Sequence, residues 1–179
     1  MKKKYKDPQI TFMKNVKKVY MGKHVSYAWG DDPKHLVFSL SRYKFVSKML
    51  ENYENVLEVG AGDGFQSKIV SKVVKRLYLS DIDERNIDEF DNQNNYVKKY
   101  FCHDFTKNKY PKLFDAIYAI DVFEHVSKKK ENIFIKNILL SLNKNGILIF
   151  GMPTIESQKY ASKLSKIGHV NCKSKNSLR

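Results

Sequence analysis

The chain has 179 residues, 42% of them hydrophobic and 13% aromatic, which allows one domain with a sizeable core and excludes a disordered chain. No apolar run approaches the roughly 20 residues of a membrane span, and the basic start from Met1 to Lys6 leads into no apolar signal region, so a cytoplasmic protein is expected. The net charge of +14 raises nucleic acid as a partner, but only Arg42, Arg76, Arg85 and Arg179 carry guanidinium groups and the remaining 29 basic residues are Lys, a bias that AT-rich coding explains as well as phosphate recognition does.

Residues 1–34 are polar, Lys-rich and aromatic without a clear period, and read as a basic arm. The domain proper is expected over 35–179. Asp31-Asp32-Pro33 supplies acids and a first-turn proline for a helix, and Leu36, Leu40, Tyr43, Val46, Met49 and Leu50 recur at helical spacing. Strand and helix signals then alternate. Asn55–Val59 is a short buried strand, and Phe65, Ile69, Val70 and Val73 form a helix face. Arg76–Ser80 is a second strand, followed by a short helix from Glu84 to about Phe90; Tyr96–Phe101 is a third strand and Phe114–Ile120 a fourth. Ile135, Ile138, Leu139 and Leu142 mark a helix closed by Asn145-Gly146, and Ile147–Phe150 is a fifth strand. A further helix is expected from Ile155 to Ile167 with Tyr160, Leu164 and Ile167 on one face. This order is that of an α/β, doubly wound, Rossmann-like domain with a mostly parallel sheet. Cys102 and Cys172 show no metal-binding spacing and are expected as free thiols.

In such sheets the ligand sits beyond the carboxyl ends of the strands. There the chain reads Glu58-Val59-Gly60-Ala61-Gly62-Asp63-Gly64, then Asp81-Ile82-Asp83, Cys102-His103-Asp104-Phe105 and Asp121-Val122-Phe123-Glu124-His125. Every one of these ends carries an acid. The glycines admit a ligand to the backbone. The dinucleotide fingerprint is not met, because Phe65 stands where its third glycine belongs; nor is the P-loop, which needs Gly-Lys-Ser/Thr. Glu58 and Asp63 would repel a pyrophosphate. A ligand with cationic groups and a ribose suits the acids better, and S-adenosylmethionine is such a ligand.

Val56–Gly64 resembles the first motif of class I S-adenosylmethionine-dependent methyltransferases, and Phe114–Val126 is similar to the fourth-strand motif of their small-molecule members, typified by ubiquinone biosynthesis enzymes. Gly146–Pro153 resembles their fifth strand, and the likeness extends over about residues 36–171. The resemblance implies that Gly60, Ala61 and Gly62 pass near the methionine part and that Glu58 holds the loop or the ammonium. It implies that Asp81 accepts from the ribose hydroxyls, that Asp104 meets the adenine amino group, and that Ile82 and Phe105 flank the ring. Asp121 borders the cofactor, and His125 is the candidate base, with His103 behind it. Residues 29–46 also resemble methyltransferases encoded with surface-polysaccharide genes, which points to a sugar-like or other small acceptor. The rivals are a non-catalytic S-adenosylmethionine-binding remnant and a nucleic-acid methyltransferase.

Asp121, Glu124 and His125, with His169 added from afar, also have the ligand types of a Mg²⁺, Mn²⁺ or Zn²⁺ site, but the metal-free reading is preferred. The Lys128–Lys130 run reads as solvated. Five strands are recognisable where the family has seven, so the chain reads as shortened at its C-terminus, with a fifth strand whose open edge is able to pair.

Overall fold

Strand alternation has a direct consequence here: residues of neighbouring parity point to opposite faces, and both faces must be covered. In the computed structural model, which describes residues 16, 19–90 and 96–177, five strands form one sheet in the order β3-β2-β1-β4-β5. They are β1 (Asn55–Val59), β2 (Arg76–Asp81), β3 (Lys99–Cys102), β4 (Phe114–Ile120) and β5 (Leu142–Gly151). Every pairing is parallel, where the sequence pattern predicts a mostly parallel sheet. Val56, Ala116, Tyr118 and Ile120 face one cluster, joined by Tyr43 and Val46 of helix α2 (Pro33–Met49), by Leu50 just past its end and by Val70 of α3 (Ser67–Ser71). Leu57, Ile117 and Ala119 face the other, joined by Phe134 and Ile138 of α5 (Glu131–Leu139). Each fully buried Leu, Ile or Phe contributes about 1.5–3 kcal/mol.

The cap of α2 is as expected. Asp32 accepts from the Lys34 amide at 3.0 Å and Pro33 opens the first turn. The short helix α4 (Glu84–Asp88) is capped likewise by Asp83, which accepts from Arg85 N at 3.0 Å.

Four expectations need correction. The arm predicted over 1–34 is helical from Lys23 to Asp31 (α1), a helix only nine residues long in which Val25, Ala28 and Trp29 share a face and only Val25 is buried; its residues 1–15, 17 and 18 lie outside the described residues. The third strand begins at Lys99 rather than Tyr96. The helix before β5 ends at Leu139, not at Asn145-Gly146. Ser141, fully buried, diverts the chain: its carbonyl accepts from Phe114 N at 2.9 Å and its hydroxyl from Tyr110 N at 3.0 Å. Leu142 thus joins the sheet opposite Phe114, while the next pair is Ile147 with Ala116. Residues 143–146 bulge opposite Asp115, whose carboxylate accepts from Asn143 Nδ2 at 2.6 Å and Asn55 N at 2.9 Å. Finally, the helix predicted over 155–167 is split into a 3-10 turn, Ile155–Tyr160, and α6 (Lys163–Gly168), because Ser162 starts a new cap by accepting from Ser165 N at 3.1 Å. Tyr160, Leu164 and Ile167 are exposed. No helix among the described residues is long and apolar enough to cross a membrane.

Candidate functional site

The strand order reverses on either side of β1, so the crevice opens beyond the ends of β1, β2 and β4. The turn after β1 uses left-handed backbone at Gly60 (φ 75°) and Gly62 (φ 56°). At Gly60 a side chain is excluded twice over, since a Cβ would stand 2.3 Å from Val122 Cγ2. The turn is pinned from below: Gly60 N and Ala61 N donate to Ser80 O at 2.8 and 3.1 Å. Tyr100 donates its hydroxyl to Gly62 O at 2.5 Å, and Tyr96 donates to Gly64 O.

Two cavities meet at Gly60. The first, about 260 Å³, lies between the glycine turn and helices α1 and α2; Ala61, Gly62, Gln66 and Asp121 line it. The second, about 350 Å³, lies beyond β2 and β3; Asp81, Ile82, Asp104, Phe105 and His125 line it. The predicted residues are therefore brought together, with one exception. Glu58 lines neither cavity. It is buried under the turn, where Tyr43 and Tyr118 donate their hydroxyls to it at 2.6 and 2.5 Å. Burial pushes its carboxyl above the usual range against the lowering effect of those donors.

Asp81 organises the floor. One oxygen accepts from Gly62 N and the other from Asp83 N, both at 2.9 Å. A carboxylate has about four acceptor sites, so two remain for ligand hydroxyls. Asp104 is held by Thr106, whose amide and hydroxyl donate at 2.8 and 2.7 Å. Burial works to raise its pKa, but the Thr106 bonds and nearby Lys107 outweigh it and keep the carboxyl below its ordinary range. Phe105 is a buried wall, while Ile82 is 65% exposed at the rim. Asp121 sits in left-handed backbone (φ 56°) and pairs with Arg42. That conformation costs about 1 kcal/mol or more and is a mark of functional sites.

His125 follows β4 in a 3-10 turn, Phe123–His125. Its Nδ1 lies 3.0 Å from Gly168 O, and its ring meets that of His169 edge-on at 5.1 Å between centroids. Glu124, next to it, has no exposed surface, and burial pushes its carboxyl up to about 7. His103 packs edge-on against Phe105 at 4.5 Å and also lines the second cavity. Lys130 does so too, reaching Thr106 Oγ1 at 3.3 Å, so the Lys run is not wholly solvated. Cys102 and Cys172 are both free.

Three contributions were not read from the sequence, although Arg42 and Asp63 were both noticed there for other reasons. Arg42 is one of four arginines in the chain, a rarity that marked it only weakly. Helix α1 brings His24 and Ala28 over the first cavity. Asp63 secures that helix by accepting from Val25 N at 2.9 Å.

A methyltransferase-domain family model matches residues 21–178. Among solved structures, the chain is similar to DhpI in complex with SAM and HEP, with 16% identity over 74% of this chain and 61% of that one, at a TM-score of 0.60. It is similar to the N-methyltransferase NodS from Bradyrhizobium japonicum WM9, with 19% identity over 83% and 80% of the two chains and a TM-score of 0.63. It is similar also to CalS10, an amino pentose methyltransferase from Micromonospora echinaspora, with 11% identity over 79% and 61% and a TM-score of 0.57. The chain thus spans less than two thirds of the length of DhpI and CalS10. No curated protein matches the sequence.

Proposed function

This chain belongs to the class I S-adenosylmethionine-dependent methyltransferase family, and from that premise we propose that it transfers a methyl group to an oxygen or nitrogen of a small-molecule or sugar-like acceptor. The observation that carries the reading is the pair of cavities joined at Gly60, one beside the glycine turn and one around Asp81. Their residues fit the two halves of S-adenosylmethionine. The cofactor supplies a methyl group activated by its sulfonium. Gly60, Ala61 and Gly62 let the methionine part approach the backbone, with Asp121 at its border. Asp81 takes the ribose hydroxyls on its two remaining acceptor sites. Asp104 accepts from the adenine amino group, and Ile82 and Phe105 sandwich the ring. Glu58 acts from beneath, holding Tyr43 and Tyr118 against the turn. His125 is the acceptor-side residue: with Nδ1 engaged by Gly168, Nε2 is the nitrogen left for an acceptor proton. The folds of NodS and CalS10, named for an N-methyltransferase and an amino pentose methyltransferase, support the small-acceptor class.

Calorimetry with S-adenosylmethionine tests the cofactor half. The native chain is expected to bind, and Asp81→Ala to weaken binding by about 100-fold or more, the worth of two lost charge-assisted hydrogen bonds. No binding by the native chain, or equal binding by the variant, would overturn it. Transfer of labelled methyl to amino sugars and hydroxylated small molecules then separates an enzyme from a cofactor-binding remnant.

A further inference from the structure

Six buried side-chain polar atoms have no hydrogen-bond partner among the described residues, and four of them belong to Glu124, Gln158 and Asn171. These three residues form one neighbourhood. Asn171 N donates to Glu124 O at 2.9 Å, and Gln158 Oε1 lies 2.9 Å from His169 Nδ1. Glu124 is the extreme case: it is 0% exposed, yet neither carboxylate oxygen is bonded. A carboxylate stripped of water and left without donors is costly, so the surroundings must supply a counter-charge or the group must stay protonated.

A counter-charge has a place to sit. One ligand atom each from Glu124, His125 and His169 lie within 4.8 Å of one another. Each imidazole has its Nδ1 against an oxygen, Gly168 O at 3.0 Å for His125 and Gln158 Oε1 at 2.9 Å for His169. Nδ1–H pointed at an oxygen fixes the tautomer that offers Nε2 as a lone pair, which is how metal-binding imidazoles are oriented. Two rings meeting edge-on, beside an unpaired carboxylate, gain from a shared cation.

We propose that Glu124, His125 and His169 hold one divalent transition-metal ion of the Zn²⁺ or Mn²⁺ class at the edge of the second cavity. Two imidazoles and a carboxylate suit these ions; Mg²⁺ prefers all-oxygen, octahedral sites. Three protein ligands leave room for a water or an acceptor oxygen. The ion then supplies the acceptor-side action of His125, polarising an acceptor hydroxyl in place of the bare imidazole. Polarisation of the acceptor rests on the proposed transfer reaction; ion binding itself does not.

The test uses untagged full-length protein, stripped with chelator and titrated with ZnCl₂, with MgCl₂ as contrast. One Zn²⁺ per chain is expected, with a rise in melting temperature. His125→Ala and His169→Ala should each weaken Zn²⁺ binding at least about 10-fold. His35→Ala, outside the cluster, should leave it unchanged. His125 is exposed, so its alanine variant retains the fold and keeps the test decisive; matching circular dichroism spectra check this. Absence of stoichiometric Zn²⁺, unchanged affinity in both His variants, or Mg²⁺ binding as tight as Zn²⁺ overturns the site. Calorimetry with S-adenosylmethionine in chelator runs beside it: cofactor binding without Zn²⁺ binding defeats the ion alone, and the converse defeats the cofactor reading alone.

Discussion

Glu58 shows how a residue acquires its role from neighbours distant in sequence. Its two donors stand 15 and 60 positions away, on α2 and β4. The sequence marked it as part of the glycine motif but had no means of showing that it faces inward. Its folded pKa lies above the unfolded value near 4.5. The stability it contributes is therefore complete below about pH 4.5 and lost as the pH rises through the folded value. Glu58→Gln keeps the size without the charge and turns one acceptor into a donor, a change that does not itself vary with pH, so its stability relative to the native chain should increase from pH 5 to pH 8. Urea unfolding at both values checks this, and parallel curves would count against it. Tyr118→Phe removes a buried donor and should cost about 1–3 kcal/mol. By contrast Asp81, Ile82, Asp104 and Phe105 stand at or within three residues of a strand's end, so position alone marked their neighbourhood, while their separate roles came from the family resemblance.

At the scale of elements, α1 is held more by one carboxylate than by its own apolar face. Asp63 accepts from Val25 N at 2.9 Å and from Phe65 N at 3.2 Å, tying the helix to the glycine turn. Lys23 adds an exposed ion pair with Glu89, worth little by itself. Gly22 lies against the same Asp63, with φ 80°; a Cβ there would be 2.4 Å from Asp63 Cβ. Asp63→Ala and Gly22→Ala should each loosen α1 by about 1 kcal/mol, seen as faster amide exchange over residues 23–31 and quicker release of the cofactor, with the sheet unaffected. Global unfolding in step with α1 would refute the local reading. The bulge of β5 has the same lesson. Asn145-Gly146 is a sound helix stop on local grounds, but the buried Ser141 hydroxyl and the Asp115–Asn143 bond draw the chain into the sheet several residues earlier. Tertiary hydrogen bonds outweighed a local propensity of a few tenths of a kcal/mol per residue.

Across the whole molecule, the +14 charge sits at the ends: residues 1–23 carry +7 and 157–179 carry +6, leaving +1 for 24–156. The basic pI therefore says little about the cavities. Deleting residues 1–18 removes a net +6 while sparing Gly22 and α1. Cofactor affinity should be unchanged, whereas retention on an anionic resin should fall and its salt dependence flatten. Unaltered retention would show that these lysines add nothing to the molecule's field. The sheet has its own asymmetry: β5 pairs with β4 alone among the described residues, and the apolar Leu164 and Ile167 of α6 stay exposed near the chain's end.

By itself the sequence determined the five strands, their parallel arrangement and the row of acids at their ends, because apolar runs and glycine turns are local signals with steric causes. Only the tertiary structure decided where Glu58 faces, that a polar N-terminal stretch folds over the first cavity, and that His169 meets Glu124 and His125. Those outcomes depend on burial and on hydrogen bonds between residues far apart in the chain, which no local pattern encodes.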